Sequence, residues 1–445
     1  MNPAWRLRGA DIRVSLVGLF FALTGTLIAT SIFSVGKSGI AVFYLALIIP
    51  FLGACIPRLM FRQFSLDKRT GQLVNMAVLV ALALGIATCL QIIMGLQSPT
   101  SEIVHLLSRI AFIAYFIVAL MYIKGPAVGS TYAWLRRLLI VVCLYGVYQL
   151  PAKLLGLPLF LDWLRNNPSF SYYDFDSAGW IGMMRATSIF AEPSQATIPI
   201  IVLFILNKWS RSGSLSRWTG WTTLILFTLL TFSRTAWFTL IACYITASVV
   251  QMRKSGRKLR LEKSAIYITI VILSFTLPAW AYLKYGRHED MSAEIRSESI
   301  IVGLRVIERH PLIGTGWKSL STVAPRYDMD LPGAFNVDFV HNMILSYMQQ
   351  IGIAGFILAL FPFITMVGWS RAPLWVTYST VFSFLLAAEV GGDIGYSSLM
   401  WLWIALLANS DESSKLRNYR ARQESSRLLP GNSGTGAINS ADSGI

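Results

Sequence analysis

The chain has 445 residues, with 38 Lys and Arg against 22 Asp and Glu, a net charge of +16, and only 13% charged against 55% hydrophobic residues. Soluble domains run near a quarter charged, so an ordinary soluble enzyme is excluded. With mean hydropathy of +0.57 and recurring apolar runs of about 20 residues, the length that crosses a bilayer core, this reads as an all-α polytopic membrane protein.

Twelve spans are predicted, near 14–33, 38–57, 72–96, 103–123, 138–160, 188–207, 218–233, 235–252, 264–283, 342–368, 374–390 and 395–408. Arg6, Arg8 and Arg13 resemble the start of a signal peptide. The following apolar run is too long for one, however, and no small-x-small cleavage site follows. With the N-terminus in the cytoplasm, 25 of the 38 Lys and Arg fall on inside segments and 11 outside, while Arg109 and Lys153 fall within spans. That is the positive-inside pattern. It accounts for the basicity without nucleic acid and puts both termini in the cytoplasm. Cys55, Cys89, Cys143 and Cys243 lie in apolar runs without metal spacing and read as fillers. No internal repeat is visible.

Taken in order, the first long outward loop is 161–187, which holds the DFD pair Asp174 and Asp176. Arg185 follows in MMRATSIFAEPSQA, ahead of Glu192, and Arg234 stands in TFSRTAW between two spans. Ionisable residues at such positions are costly. A single Arg there is as readily an interfacial snorkel as a ligand-binding group. The second outward loop, 284–340, is predicted to be ordered in part. SAEIRSESIIVGLRVIERHP has Ser292 as a cap, Glu294 at the positive end of the dipole and Arg309 before the stop at Pro311. Ile295, Val302 and Ile307 form its apolar stripe, and the helix is expected to lie on the outer membrane face. PLIGTGWKS reads as a tight glycine turn. It is not a phosphate-binding P-loop, because Trp317 separates Gly316 from Lys318. A second acidic pair, Asp328 and Asp330, stands in DMD; both pairs are read as solvated loop acids or sugar contacts, with no metal expected.

FVHNMILSYMQQIGIAGF then begins an apolar helix with a histidine, one of 4 in the chain. A lone His at a helix mouth is ordinarily structural. Beside Arg185, Arg234 and Arg296 its protonated form is disfavoured, which leaves a neutral imidazole able to accept a proton. The arginines together suit a phosphate or diphosphate, because guanidinium forks match its oxygens. From about Asn409 the chain turns polar, and 409–445 reads as a disordered cytoplasmic tail behind a membrane domain of 1–408.

Arg296 with the HPLIGTG that begins at His310, the HN of His341 and Asn342 followed by IGIAG, the SR of TFSRTAW, and R-x-x-S-x-F-x-E-P-S from Arg185 to Ser194 resemble the bacterial O-antigen ligase and polymerase superfamily (WaaL and Wzy). The resemblance is strongest over roughly 180–365 and rests on hydropathy elsewhere. It implies a GT-C-like membrane glycosyltransferase with about 12 transmembrane helices and a long, partly helical periplasmic loop. Such an enzyme would sit in the bacterial inner membrane and act, without metal or cofactor, on glycans carried by undecaprenyl diphosphate. Arg234 and Arg296 fall on the arginines that hold the donor diphosphate, Arg185 on a further motif arginine, and His341 on the histidine at the acceptor. Glu192, His310, Gly314, Gly316, Asp338 and Asn342 are the expected further substrate contacts. The implied partners are the lipid-linked donor, a glycan acceptor, the bilayer, and chain-length-regulating and export proteins. The EPS after Arg185 favours an inverting repeat-unit polymerase. The alternatives are an O-antigen ligase delivering glycan to lipid A-core, a lipid-linked glycan flippase, and a structural subunit of an export complex.

Overall fold

The computed structural model describes residues 3–27, 31–35, 38–45, 47, 67–96, 98–166, 185–190, 192–209, 214–254, 291–317, 320–323, 340–391 and 397–410. Within these, helices dominate: α1 (Pro3–Thr26), α2 (Lys68–Ile93), α3 (Pro99–Tyr122), α4 (Pro126–Leu155), α5 (Thr197–Trp209), α6 (Ser214–Leu230), α7 (Arg234–Lys254), α8 (Met291–Arg309), α9 (Met343–Trp369), α10 (Leu374–Gly391) and α11 (Ser398–Ser410). Five segments are long and apolar enough to cross a membrane: α2, α3 from Glu102, α4, α7 to Met252, and α9. Shorter apolar stretches lie in α1 from Ile12, in α10 to Ala388 and in α11.

The described structure departs from the all-α expectation in one place. Ser31–Val35 (β1) and Ser38–Ala41 (β2) pair antiparallel, with Val35 opposite Ser38. The predicted first span, 14–33, therefore ends as a helix at Thr26, and the second begins on a strand. The sequence carries a hairpin signal here that hydropathy alone hides: Val35 precedes Gly36-Lys37, a Gly-X pair of the type two-residue hairpins use. The rest of the second span and the ninth, 264–283, lie outside the described residues.

Three other boundaries move. α4 starts at Pro126, well before 138, because Gly125 adopts φ +55° and Pro126 fits the first helical position. The sixth span starts late: Ser188 holds φ +55°, Glu192 is extended, and a 3-10 turn at Pro193–Ala196 leads into α5. Asn409, expected to open the tail, belongs to α11 and donates to the carbonyls of Leu120 and Ile123 at 3.0 and 2.9 Å.

Small residues set how closely the helices approach, as is usual where lipid supplies no hydrophobic drive between them. A Cβ on Gly18 of α1 would lie 2.6 Å from Ser130 Oγ of α4, and one on Gly146 of α4 would strike the Phe227 ring of α6. α7 packs on α10 and α5, and α9 on α2, α8 and α10.

The two ends of this bundle differ in chemistry. At one end Arg136, buried, donates from Nε to Asn207 Oδ1 at 2.9 Å and to Ser216 Oγ and O at 2.9 and 2.6 Å, which joins α4, α5 and α6. Arg69 donates to the Gly368 carbonyl at 3.0 Å, and Arg371 pairs with Asp67 at 3.1 Å. Burial works to raise the Asp67 carboxyl, but bonds from Thr70 and Arg371 outweigh it and hold it below its usual range. Lys68, Lys124, Lys208 and Arg217 stand at the ends of the same helices.

Candidate active site at one end of the helix bundle

The opposite end carries the sequence candidates. α3 and α4 join through the short link at residues 123–125, so the C-terminus of α4 and the N-terminus of α3 both lie away from that link. The C-terminus of α4 meets the segment after residue 184 and the turn between α6 and α7. The N-terminus of α3 meets the turn that follows α8 and the first half of α9. Arg185, Arg234, α8 and His341 therefore share one end.

Arg185 is half-buried, and its guanidinium reaches back to the α6–α7 turn. Nε points at the Thr231 carbonyl at 3.4 Å and a terminal nitrogen at that of Phe232 at 3.3 Å, while Ala186 N–H donates to the Leu230 carbonyl at 2.8 Å. Lys153, in the last turn of α4, donates to the Arg185 carbonyl at 3.0 Å. Arg234 opens α7 and is exposed. Its turn is fixed by Ser233, whose Oγ accepts the Ala236 N–H at 3.3 Å. The positive end of a helix beneath a guanidinium reinforces attraction for an anion.

The backbone around these arginines is strained. Among the described non-glycine residues, Ser188 and Phe232 hold positive φ, at +55° and +45°, one beside each arginine. Such conformations persist only where the surroundings enforce them. Buried Gln149 of α4 does so for the first: its Oε1 accepts the N–H groups of Thr187 and Ser188 at 3.1 and 2.7 Å, and its Nε2 donates to the Ser188 carbonyl at 3.0 Å. Glu192 is exposed and takes a bond from Ser194 Oγ at 3.1 Å.

His341 stands half-buried just ahead of α9 and meets α8 through Ser299. Its Nδ1 lies 3.3 Å from Ser299 Oγ, and its N–H donates to the same oxygen at 3.3 Å. In the tautomer that donates from Nδ1, the basic nitrogen is Nε2. Asn342 caps α9 by accepting the Leu345 N–H at 3.0 Å. Arg296 lies one turn before Ser299 on α8, so helical spacing puts both positions on one face. α8 starts at Met291, so Ser292, expected at its cap, falls within it. Its buried stripe is Val302, Val306 and Ile307, packed with Leu320, Val323 and Val340. Asp338 and both acidic pairs lie outside the described residues.

The turn from His310 to Trp317 has a different role from a surface loop. Gly314 and Gly316 hold φ of +72° and +103°. Gly314 N–H donates to the His310 carbonyl at 3.0 Å, Thr315 N–H to that of Gln349 at 3.0 Å, and Gly316 N–H to that of Gln350 at 2.9 Å. This docks the turn on α9 where that helix breaks, at Ile351 (φ −132°, ψ 22°) and Gly352 (φ +60°, ψ −139°). Gln91 of α2 donates to the carbonyls of both Ile313 and Gln350 at 2.6 Å. The two glycines thus have internal partners and set close packing, whereas His310 is half-buried beside them. A Cβ on Gly314 would stand 2.5 Å from the Gln350 carbonyl. Gly314→Ala is therefore expected to lose roughly 2–4 kcal/mol of stability from positive-φ strain and overpacking, read as a lowered unfolding midpoint in detergent; a native midpoint would show that the turn does not need this glycine.

Sequence reasoning missed three charged residues at this end. Arg109, set aside as a span residue, is 2% exposed. Its guanidinium stands over the rings of Tyr347, 4.6 Å to the centroid, and Trp317, 5.4 Å. Glu102, fully buried, accepts the Trp317 N–H on Oε1 at 3.0 Å. Lys153 buttresses Arg185. The available signal was an ionisable residue inside an apolar run, which is a functional hint by default.

Residues 197–360 match the family model described as O-antigen ligase (Wzy_C). The matched segment holds Arg234, Arg296, the 310–317 turn and His341, and starts just after Glu192. Comparison with curated proteins gives no match.

Proposed function

We propose, from the match of residues 197–360 to the O-antigen ligase family model, that this protein polymerises lipid-linked oligosaccharide repeat units by inverting glycosyl transfer at the Arg185–Arg234–His341 end of the bundle. The observation that supports the proposal is that Arg185 bonds to the turn ahead of Arg234 and His341 to Ser299 of α8, both away from the end rich in Lys and Arg. The positive-inside rule then points the site away from the cytoplasm. The donor is read as a glycan on undecaprenyl diphosphate. The acceptor hydroxyl oxygen bonds to the donor's anomeric carbon as the bond from that carbon to the diphosphate oxygen breaks. His341 takes the hydroxyl proton, and the lipid diphosphate leaves under the charge of Arg234, Arg296 and Arg185. Oriented guanidinium groups supply the electrostatic stabilisation such a leaving group needs, and this reading requires no metal.

The matched description favours a second reading, a ligase that passes finished glycan to lipid A-core. Chain length and leaflet of the glycan that stalls in a strain lacking the protein separate the readings. Single repeats on outer-leaflet lipid support polymerisation, and long polymer left on the lipid carrier supports ligation instead. Single repeats confined to the inner leaflet would overturn both in favour of a flippase.

A further inference from the structure

We infer that Arg109 is a positioning residue that fixes His341 through the first half of α9. That half is a short rigid unit, capped at Asn342 and broken at Ile351 and Gly352. It carries His341 at its mouth and Tyr347 six residues on. Tyr347 is 2% exposed, and its ring receives the Arg109 guanidinium of α3 at 4.6 Å. The same guanidinium stands 5.4 Å from the ring of Trp317, which is 1% exposed and closes the turn docked on Gln349 and Gln350.

α3 in turn grips Trp317 a second way, through Glu102 Oε1, and α2 reaches its indole from Thr88 Oγ1 at 3.4 Å. Glu102 and Arg109 lie seven residues apart on α3, two turns along one face. They hold the backbone and the ring of the same tryptophan. A cation in an apolar helix costs too much to serve as filler, and desolvated cation–π contacts are the stronger kind. The cation here joins the three elements that define where the half-helix sits. A planar guanidinium stacks on both rings in a way an ammonium does not.

The test is Arg109→Met, which keeps an apolar, helix-compatible side chain, with Arg109→Lys beside it in case the first does not accumulate. Two readouts are used. In purified protein labelled with 15N-histidine, His341 is one of 4 imidazoles and is assigned by its loss in His341→Ala. Either Arg109 variant is expected to shift the His341 resonance. That result does not depend on the function proposed above. The second readout rests on that function: turnover is expected to fall by at least tenfold and up to about 10²-fold, the effect of an ångström-scale misplacement, with donor KM within about twofold. Arg109→Lys should recover only part of the rate. A native His341 resonance with native turnover in either variant overturns the inference. So does a loss of rate that only follows loss of folded protein while the resonance stays native. Failure of the proposed reaction would instead show as a shifted resonance in protein whose native form transfers no glycan.

Discussion

Arg234→Ala is expected to abolish glycan transfer while the protein still accumulates in the membrane. Arg234 is exposed at the start of α7, and the turn is capped by Ser233, so deleting the side chain should leave packing nearly intact. The function it removes is large. A preorganised donor to charge that develops in the transition state contributes about 2.7–4 kcal/mol, or 10²–10³ in rate. Arg234→Lys should rescue poorly, since an ammonium keeps the charge but not the two-pronged geometry. Membrane vesicles given lipid-linked oligosaccharide provide the measurement, with transfer expressed per protein. Near-native transfer by Arg234→Ala would remove this residue from the donor site.

Hydropathy made much of this fold legible. α2, α3, α7, α9 and α10 fall within a few residues of predicted spans, because each is a long apolar run flanked by charge, Gly or Pro. Hydropathy averages could not separate the hairpin at Ser31–Ala41 from a helix, since Ile, Phe and Val serve both. They also dated the start of α4 too late. Arg136 and Arg137 look like loop residues in a window average, yet Arg136 is buried among Asn207 and Ser216 inside the bundle end.

The candidate site was legible to the extent that its residues break local rules. Arg234 and His341 stand at helix mouths, Arg185 stands in the irregular segment ahead of α5, and the glycines of HPLIGTG take positive φ as a tight turn requires. What the sequence concealed is which partner each group takes. The N–H groups of Gly314 and Gly316 answer to His310 and to Gln350 of α9, a long-range pairing for the latter that no spacing reveals. Arg109 reads only as a charged residue within a span until the rings of Trp317 and Tyr347, more than 200 residues away in sequence, are seen against its guanidinium. Lys153 likewise becomes informative only once its ammonium is placed on the Arg185 carbonyl.

His341→Ala is expected to stop chain growth yet leave donor binding in place. The fold should tolerate it. α9 is capped by Asn342, not by His341, and the imidazole is half-buried against Ser299 of helix α8. The contrasting variant, Asn342→Ala, should cost about 1 kcal/mol of stability through the lost cap. Removing a general base lowers rate by roughly 10²–10⁴-fold, and the arginines that hold the donor are untouched. Donor affinity, measured with labelled lipid-linked oligosaccharide and purified protein, should stay within about twofold while product formation collapses. Ser299→Ala should give a smaller loss, because it frees the ring's orientation without removing the basic nitrogen. In cells the stalled species should be single repeats on the outer leaflet. If His341→Ala instead weakens donor binding as much as it lowers rate, His341 belongs to the donor site, and the proton must pass to another group.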